Sequence, residues 1–251
     1  MSDVSLLNKT KFVVNDQITV HIPTLREIEG ESPDLLGTDK DEADVYSIVN
    51  LFSATSSDIM VELDSMGIDF TTWSDFTTFL MLFQGIPKDI LASKSHILFE
   101  NINLADFEVS VNKENNLPIL YDFQHDIIID ELMYMRLSTI FCTMFSLTKH
   151  RRKPGDKIAR DYILEREKIK ASRKKKQKYS SRFDKQIVAL VNNSNFKYDF
   201  DTVRDLTVYN FTCSLKQIVK KYGVDNYYHG IYAGTVNPKN IGDKLNWLDY
   251  E

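Results

Sequence analysis

The sequence predicts an α+β protein, mainly α, with a helical core, one or two short β-hairpins and a protruding basic helix. Apolar residues recur at helical spacing through most of the chain, above all at Val208, Phe211, Leu215, Ile218, Val219 and Tyr222. Two pairs of short runs alternate apolar and polar residues around turn-forming residues, 11–14 with 17–22 and 107–111 with 117–121. One segment, by contrast, is poor in apolar residues and rich in cations. Residues 149–185 hold 16 Lys and Arg against 5 Asp and Glu, a balance of +11 in a chain of net charge −5, which leaves −16 on the remainder. The chain is an acidic body carrying a basic segment.

At 251 residues the chain can bury a sizeable core without disulfides or metals. No apolar run approaches the roughly 20 residues needed to cross a bilayer, and the first residues lack the apolar segment of a secretory signal. The expectation is a protein with no membrane contact, at work in a cytoplasm. Cys142 and Cys213 each sit inside an apolar helical pattern, which fits reduced core thiols rather than a disulfide framework.

The elements follow in order. Asn15 and Asp16 predict a two-residue turn between the first two strands. Thr24 and Glu27 have the T-x-x-E spacing of a capping box, so a short helix starts there and stops near Gly30. Residues 29–44 are acidic, contain Pro33 and Gly37, and read as an exposed loop. Three helices follow: one marked by Val45, Ile48, Val49 and Phe52; one capped by Ser57 and ended by Gly67; one capped by Ser74 and ended by Gly85. All three are too short to stand alone and are expected to pack as one layer. After the second hairpin, residues 128–147 are apolar on nearly every side and predict a central buried helix. Pro154 and Gly155 then break the pattern. Residues 156–178 are helical in propensity with a thin stripe of Ile158, Tyr162, Ile163 and Ile169, so this helix projects or lies along the outside. Ile187, Val188, Leu190 and Val191 start a further helix that residues 192–195 stop. The helix over 201–222 and a short last element at 227–232 come next, and Ile241, Leu245, Trp247 and Leu248 are placed to fold back onto the body. The organisation read from this is 1–150 as the hairpin and helical body, 151–182 as a basic arm, and 183–251 as a C-terminal helical region packing on the body.

Chemistry-bearing residues are scattered. The five histidines share no metal-ligand spacing with one another or with the cysteines, and no phosphate-loop, dinucleotide or serine-hydrolase motif is present. Asp122, Asp126 and Asp130, and Asp199 with Asp201, read as turn and helix caps before they read as a metal site. The expectation is no catalytic residue, no metal and no cofactor. Two features suit partner binding. One is the run Lys168, Lys170, Arg173, Lys174, Lys175, Lys176 and Lys178, which fits an acidic protein surface, including another copy of this acidic body; nucleic acid is the alternative, weakened by the lack of interleaved aromatics. The other is the tyrosine cluster of Tyr227, Tyr228 and Tyr232, whose side chains combine large area with a polar tip.

Several stretches taken together carry a resemblance: Asp58-Ile-Met-Val-Glu-Leu-Asp-Ser-Met-Gly-Ile-Asp69, the Lys153-Pro-Gly-Asp-Lys157 break, Phe196-Lys-Tyr-Asp-Phe-Asp-Thr-Val-Arg-Asp-Leu206, His229-Gly-Ile-Tyr-Ala-Gly234 and Leu245-Asn-Trp247. In this order, between residues 12 and 247, the chain resembles uncharacterised tail-module proteins of tailed bacteriophages infecting Firmicutes. That resemblance implies a non-enzymatic tail assembly chaperone or a minor tail or baseplate protein. Its partners would be other tail proteins (tape measure, hub or baseplate) or further copies of itself, and its place the host cytoplasm during assembly or the virion tail. A nucleic-acid-binding regulator or packaging accessory is the alternative. The family assigns no chemical role to any residue, so no site is carried over.

Overall fold

The computed structural model describes residues 6–30, 40–174 and 181–246, and the side chains of Lys40, Lys174 and Asp243 are outside that description. Strands β1 (Lys11–Val13) and β2 (Thr19–His21) form the first antiparallel hairpin, pairing Phe12 with Val20. Its turn is wider than the two residues expected. Asn15 Oδ1 accepts from the N–H groups of both Gln17 and Ile18, a side-chain turn that makes room for a third residue. The capping box forms as the sequence requires: Thr24 accepts from the Glu27 N–H and Glu27 accepts from the Thr24 N–H, starting α1 (Leu25–Glu29), which Gly30 ends at φ 82°.

Most of the acidic loop, 31–39, is outside the described residues, but helix α2 (Lys40–Ser53) begins earlier than expected. Asp41 and Glu42 lie in its first turn, where a helix dipole favours negative charge, so acidity there marks a helix start rather than a loop. In α3 (Met60–Ser65), Ser57 is not the cap. Asp58 instead accepts from the N–H and hydroxyl of Thr55, and Ser57 Oγ accepts from the N–H of Arg152. Ser74 does cap α4 (Asp75–Gly85), accepting from the Thr77 N–H. Helix α5 (Lys88–Leu98) has no counterpart in the sequence reading: it starts at Pro87 without a side-chain cap and buries only Leu91, Ser95, Ile97 and Leu98.

A 3-10 turn at Leu104–Asp106 leads into a sheet of three antiparallel strands, β3 (Phe107–Val111), β4 (Pro118–Asp122) and β5 (Ile127–Ile129), with β4 in the centre. The expected hairpin is β3 and β4. Ile128, expected at the start of the long helix, is in β5 between buried Ile127 and Ile129, and helix α6 (Glu131–Met144) starts after Asp130, which accepts from the Met133 N–H.

Helix α6 is the centre of the core. Phe141 stacks on Phe52 of α2 with ring centroids 4.4 Å apart, and the Ser138 hydroxyl donates to the Phe52 carbonyl at 2.6 Å, so the α2–α6 contact is both apolar and hydrogen-bonded. Phe79, Phe99, Phe107, Phe183 and Phe211 bury fully in the same cluster, joining residues from Leu6 to Phe211. The first three helices do not form one layer, because α3 turns to a second, smaller core. Met60, Leu63 and Phe70 pack there with Leu164 of α7 (Lys157–Lys174).

Helix α7 lies along the outside of α3. Ile163 and Leu164 make its apolar contact, whereas Ile158, Tyr162 and Ile169 of the expected stripe are exposed. Charge pairs complete the attachment: Arg160 to Asp69, Lys168 to Asp64, and Arg152 to Glu167. Helix α8 (Asp184–Val191) follows, ending at Asn192. A 3-10 turn at Thr202–Asp205 precedes α9 (Val208–Tyr232), which Thr207 caps. The helix expected from Asp201 and the separate element expected at 227–232 are a single helix that starts at Val208 and runs unbroken through Tyr232. Its start is tied to α1 by backbone bonds from Leu25 to Leu206 and from Val208 to Pro23, with Arg204 paired to Glu29. Val208 and Phe211 are buried and Leu215 and Ile218 pack on the core, but Val219 and Tyr222 of the expected stripe are exposed, the Tyr222 hydroxyl accepting from Asn193. Ile241 folds back and is buried; Trp247 and Leu248 are outside the described residues.

Candidate interaction surfaces

The expected partner-binding residues are on two different elements. Lys168 and Lys170 are not free cations: Lys168 pairs with Asp64 at 2.7 Å and Lys170 with Glu167 at 2.8 Å, both inside the molecule. Arg173 is exposed near the end of α7, Lys174 is its last residue, and Lys175, Lys176 and Lys178 are outside the described residues. Tyr227, Tyr228 and Tyr232 are on the last turns of α9. Tyr228 and Tyr232, one turn apart, stack with centroids 6.4 Å apart and face outward, while Tyr227 is half-buried.

A surface absent from the sequence reading is a groove of about 910 Å³ between the first hairpin, the start of α4 and the outer face of α6. Phe12 and Val14 turn toward the core, so the period-2 alternation of the strand leaves Val13 in solvent at the groove edge. On α6 the buried face runs through Tyr134, Leu137, Phe141 and Met144, and Leu132 and Met135 stand off it, both more than half exposed. The sequence did carry the signal: a helix apolar on all sides must have either cover on every side or an uncovered apolar face. The groove is a cleft with apolar walls of the kind that receives another molecule.

A polar cluster lines its inner end. Asp75, buried at the first turn of α4, pairs with Arg151 at 2.8 Å and Lys149 at 3.3 Å, and Lys149 also donates to the Tyr134 hydroxyl at 2.8 Å. Burial, reinforced by the Asp75 charge, pushes the Tyr134 phenol far above its usual value, so it stays neutral. Hydrogen bonding to Asp75, with its charge, raises Arg151 further. Burial likewise raises the Cys142 and Cys213 thiols, which keeps both in the unreactive protonated form. The Asp75 cluster carries two cations on one anion. It can orient a ligand carboxylate or a backbone carbonyl.

One group has the composition of a cation site. Donor atoms of Asp106, Asp122 and His125 lie within 4.8 Å of one another. Burial pulls the Asp122 carboxyl upward, but the hydrogen bond from His125 at 2.7 Å and the N–H groups of Gln124 and His125 outweigh it and hold the group below its usual range. These same bonds close the β4–β5 turn, so the arrangement has a full structural account as a turn cap.

Residues 174–250 match the family model described as YomV second domain, a span that takes in the end of α7, α8 and all of α9. YomV is a Bacillus phage protein, and the match supports a phage protein. No curated protein and no solved structure matches the chain. Among the described residues, no helix is long and apolar enough to cross a membrane.

Proposed function

We propose that this phage protein is non-enzymatic and acts in tail assembly through protein–protein contact, as a chaperone for a tape-measure, hub or baseplate protein or as a minor component of the tail. The observation that carries the reading is the groove edged by Val13, Leu132 and Met135, three exposed apolar side chains from two elements beside the Asp75–Lys149–Arg151 cluster. Such an apolar lining with a few fixed polar groups suits an amphipathic partner segment, with anchors from a partner helix or strand seated between α6 and the hairpin. The partner is one of the other tail proteins or a further copy of this chain.

Two measurements test it. Tagged protein is co-expressed with each tail product of the phage that encodes it, as wild type and as Leu132→Glu/Met135→Glu. Both positions are exposed, so folding is preserved. A tail product retained by wild type and lost by the variant supports the reading, and equal retention of every product by both removes it. Mass spectrometry of purified virions then separates the two forms, since a chaperone is missing from the mature particle and a tail component is present at fixed copy number.

A further inference from the structure

The loop that joins α6 to α7, the first turns of α7 and the turn after α3 border an open cavity of about 600 Å³. Its lining is Asp69, Thr71, Arg152, Lys153, Pro154, Asp156, Lys157 and Arg160, four cations and two acids with no large apolar side chain. The acids at and around it are committed. Asp69 accepts from the N–H and hydroxyl of Thr71 at 2.9 and 2.8 Å and pairs with Arg160. Asp156 caps α7 by accepting from the Ala159 N–H at 2.7 Å. Just outside, Asp161 pairs with Arg160 and Glu167 with Arg152 and Lys170.

Two cations remain. Lys153 and Lys157 are exposed at the cavity, and among the described residues neither has an anionic partner. The cavity also adjoins the start of an 18-residue helix, where the Lys157 and Ile158 N–H groups have no intrahelical acceptor and the helix dipole favours negative charge. Two unneutralised ammonium groups, free backbone donors and a polar wall with room for several non-hydrogen atoms call for a compact polyanion. Lysine serves phosphate as a point charge, with no need for the fork geometry of arginine.

We propose that Lys153 and Lys157, with the first turn of α7, form a binding site for a phosphate-bearing ligand. The phosphate arrives as a free oligophosphate or nucleotide, or as the backbone of a nucleic acid strand; the chemistry of recognition is the same. This site is separate from the α6 groove, and it places phosphate recognition at the N-terminal end of α7, whereas the lysine run that suggested nucleic acid is at the opposite end.

The test uses the full chain with inorganic tripolyphosphate and with short duplex DNA, by calorimetry and by fluorescence anisotropy at low and high salt. Lys153→Gln/Lys157→Gln is compared with wild type and with Lys113→Gln/Lys239→Gln, which removes two exposed lysines elsewhere. Both variants should melt as wild type does, because all four side chains are exposed. The site predicts that K153Q/K157Q weakens tripolyphosphate binding by about tenfold or more. If the ligand is a nucleic acid backbone, it also makes the slope of log affinity against log salt for DNA shallower by up to about 2. The control variant keeps wild-type binding. Loss of tripolyphosphate binding alone identifies a free phosphate compound as the ligand, loss of both with the shallower salt slope identifies the strand, and unchanged tripolyphosphate binding in K153Q/K157Q overturns the proposal. Wild type that binds neither probe at low salt, or equal losses in the two variants, overturns the proposal. Neither result bears on the groove, which is tested by tail-protein retention.

Discussion

Phe141 and Asp122 show how much single side chains contribute to this fold. Phe141 is fully buried, stacks on Phe52 and touches Phe99, so cutting it to alanine removes both transfer energy and packing from the contact that unites α2 and α6. Phe141→Ala is expected to cost about 3–5 kcal/mol, read as a lowered urea midpoint at unchanged slope. Asp122 acts through its charge. Its folded-state carboxyl is held below the usual range, despite burial, by His125 and two backbone N–H groups. A depressed acid contributes stability that is present above the unfolded value of about 3.9 and is lost as pH falls through the folded value. Wild type should therefore lose stability on acidification below about pH 4. Asp122→Asn should be less stable at pH 7 and show a smaller acid loss, and urea unfolding at pH 7, 5, 4 and 3 checks both.

Among the elements, the end of α9 offers a contest between two effects of known size. Gly230 lies in its last turns, and a Cβ there would come within 2.6 Å of Val236 Cγ2, because the chain doubles back with the N–H groups of Thr235 and Val236 bonded to the Gly230 carbonyl. Alanine gains about 1 kcal/mol of helix propensity over glycine, while overpacking against a stiff β-branched side chain costs about 1–3 kcal/mol. Gly230→Ala alone should thus lower the melting temperature, and in a Val236→Ala background the same change should raise it. If Gly230→Ala stabilises both backgrounds, the close approach is not real. Signals of this local kind are what the sequence carried well. The Thr24 box and the Ser74 cap were legible because cap and partner are three residues apart, and the stop at Gly67 because the turn needs φ 75°. Helix α5 was illegible: Pro87 offers no capping oxygen, and its buried face includes Ser95, whose hydroxyl accepts from the Leu104 N–H and so satisfies a buried group that periodicity counts as polar. Ile127–Ile129 could not be told from a helix start, since a short apolar run fits either period. The all-round apolarity of α6 signalled an uncovered face, but not the groove itself. It depends on where Val13 sits relative to Met135, a distance between elements that no local pattern encodes.

Across the whole molecule the basic segment is fixed to the acidic body at both of its ends. At the start, Ser57 Oγ accepts from the Arg152 N–H, and Lys149 and Arg151 pair with Asp75. At the return, Glu42, buried in α2, accepts from the Arg182 N–H at 2.9 Å, and the Arg182 guanidinium covers the Tyr46 ring at 4.1 Å. Phe183 then enters the core against Tyr46 and Phe211. A polypeptide held so on either side behaves as a closed handle, and severing it does not release either half. Brief trypsin treatment that cuts after exposed Arg173 should leave two pieces that migrate together in a native sizing column and part only in denaturant. Force applied to the lysine-rich stretch is therefore met on one side by α3 and the turn after it, through α7, and on the other by α2, through Glu42 and Tyr46.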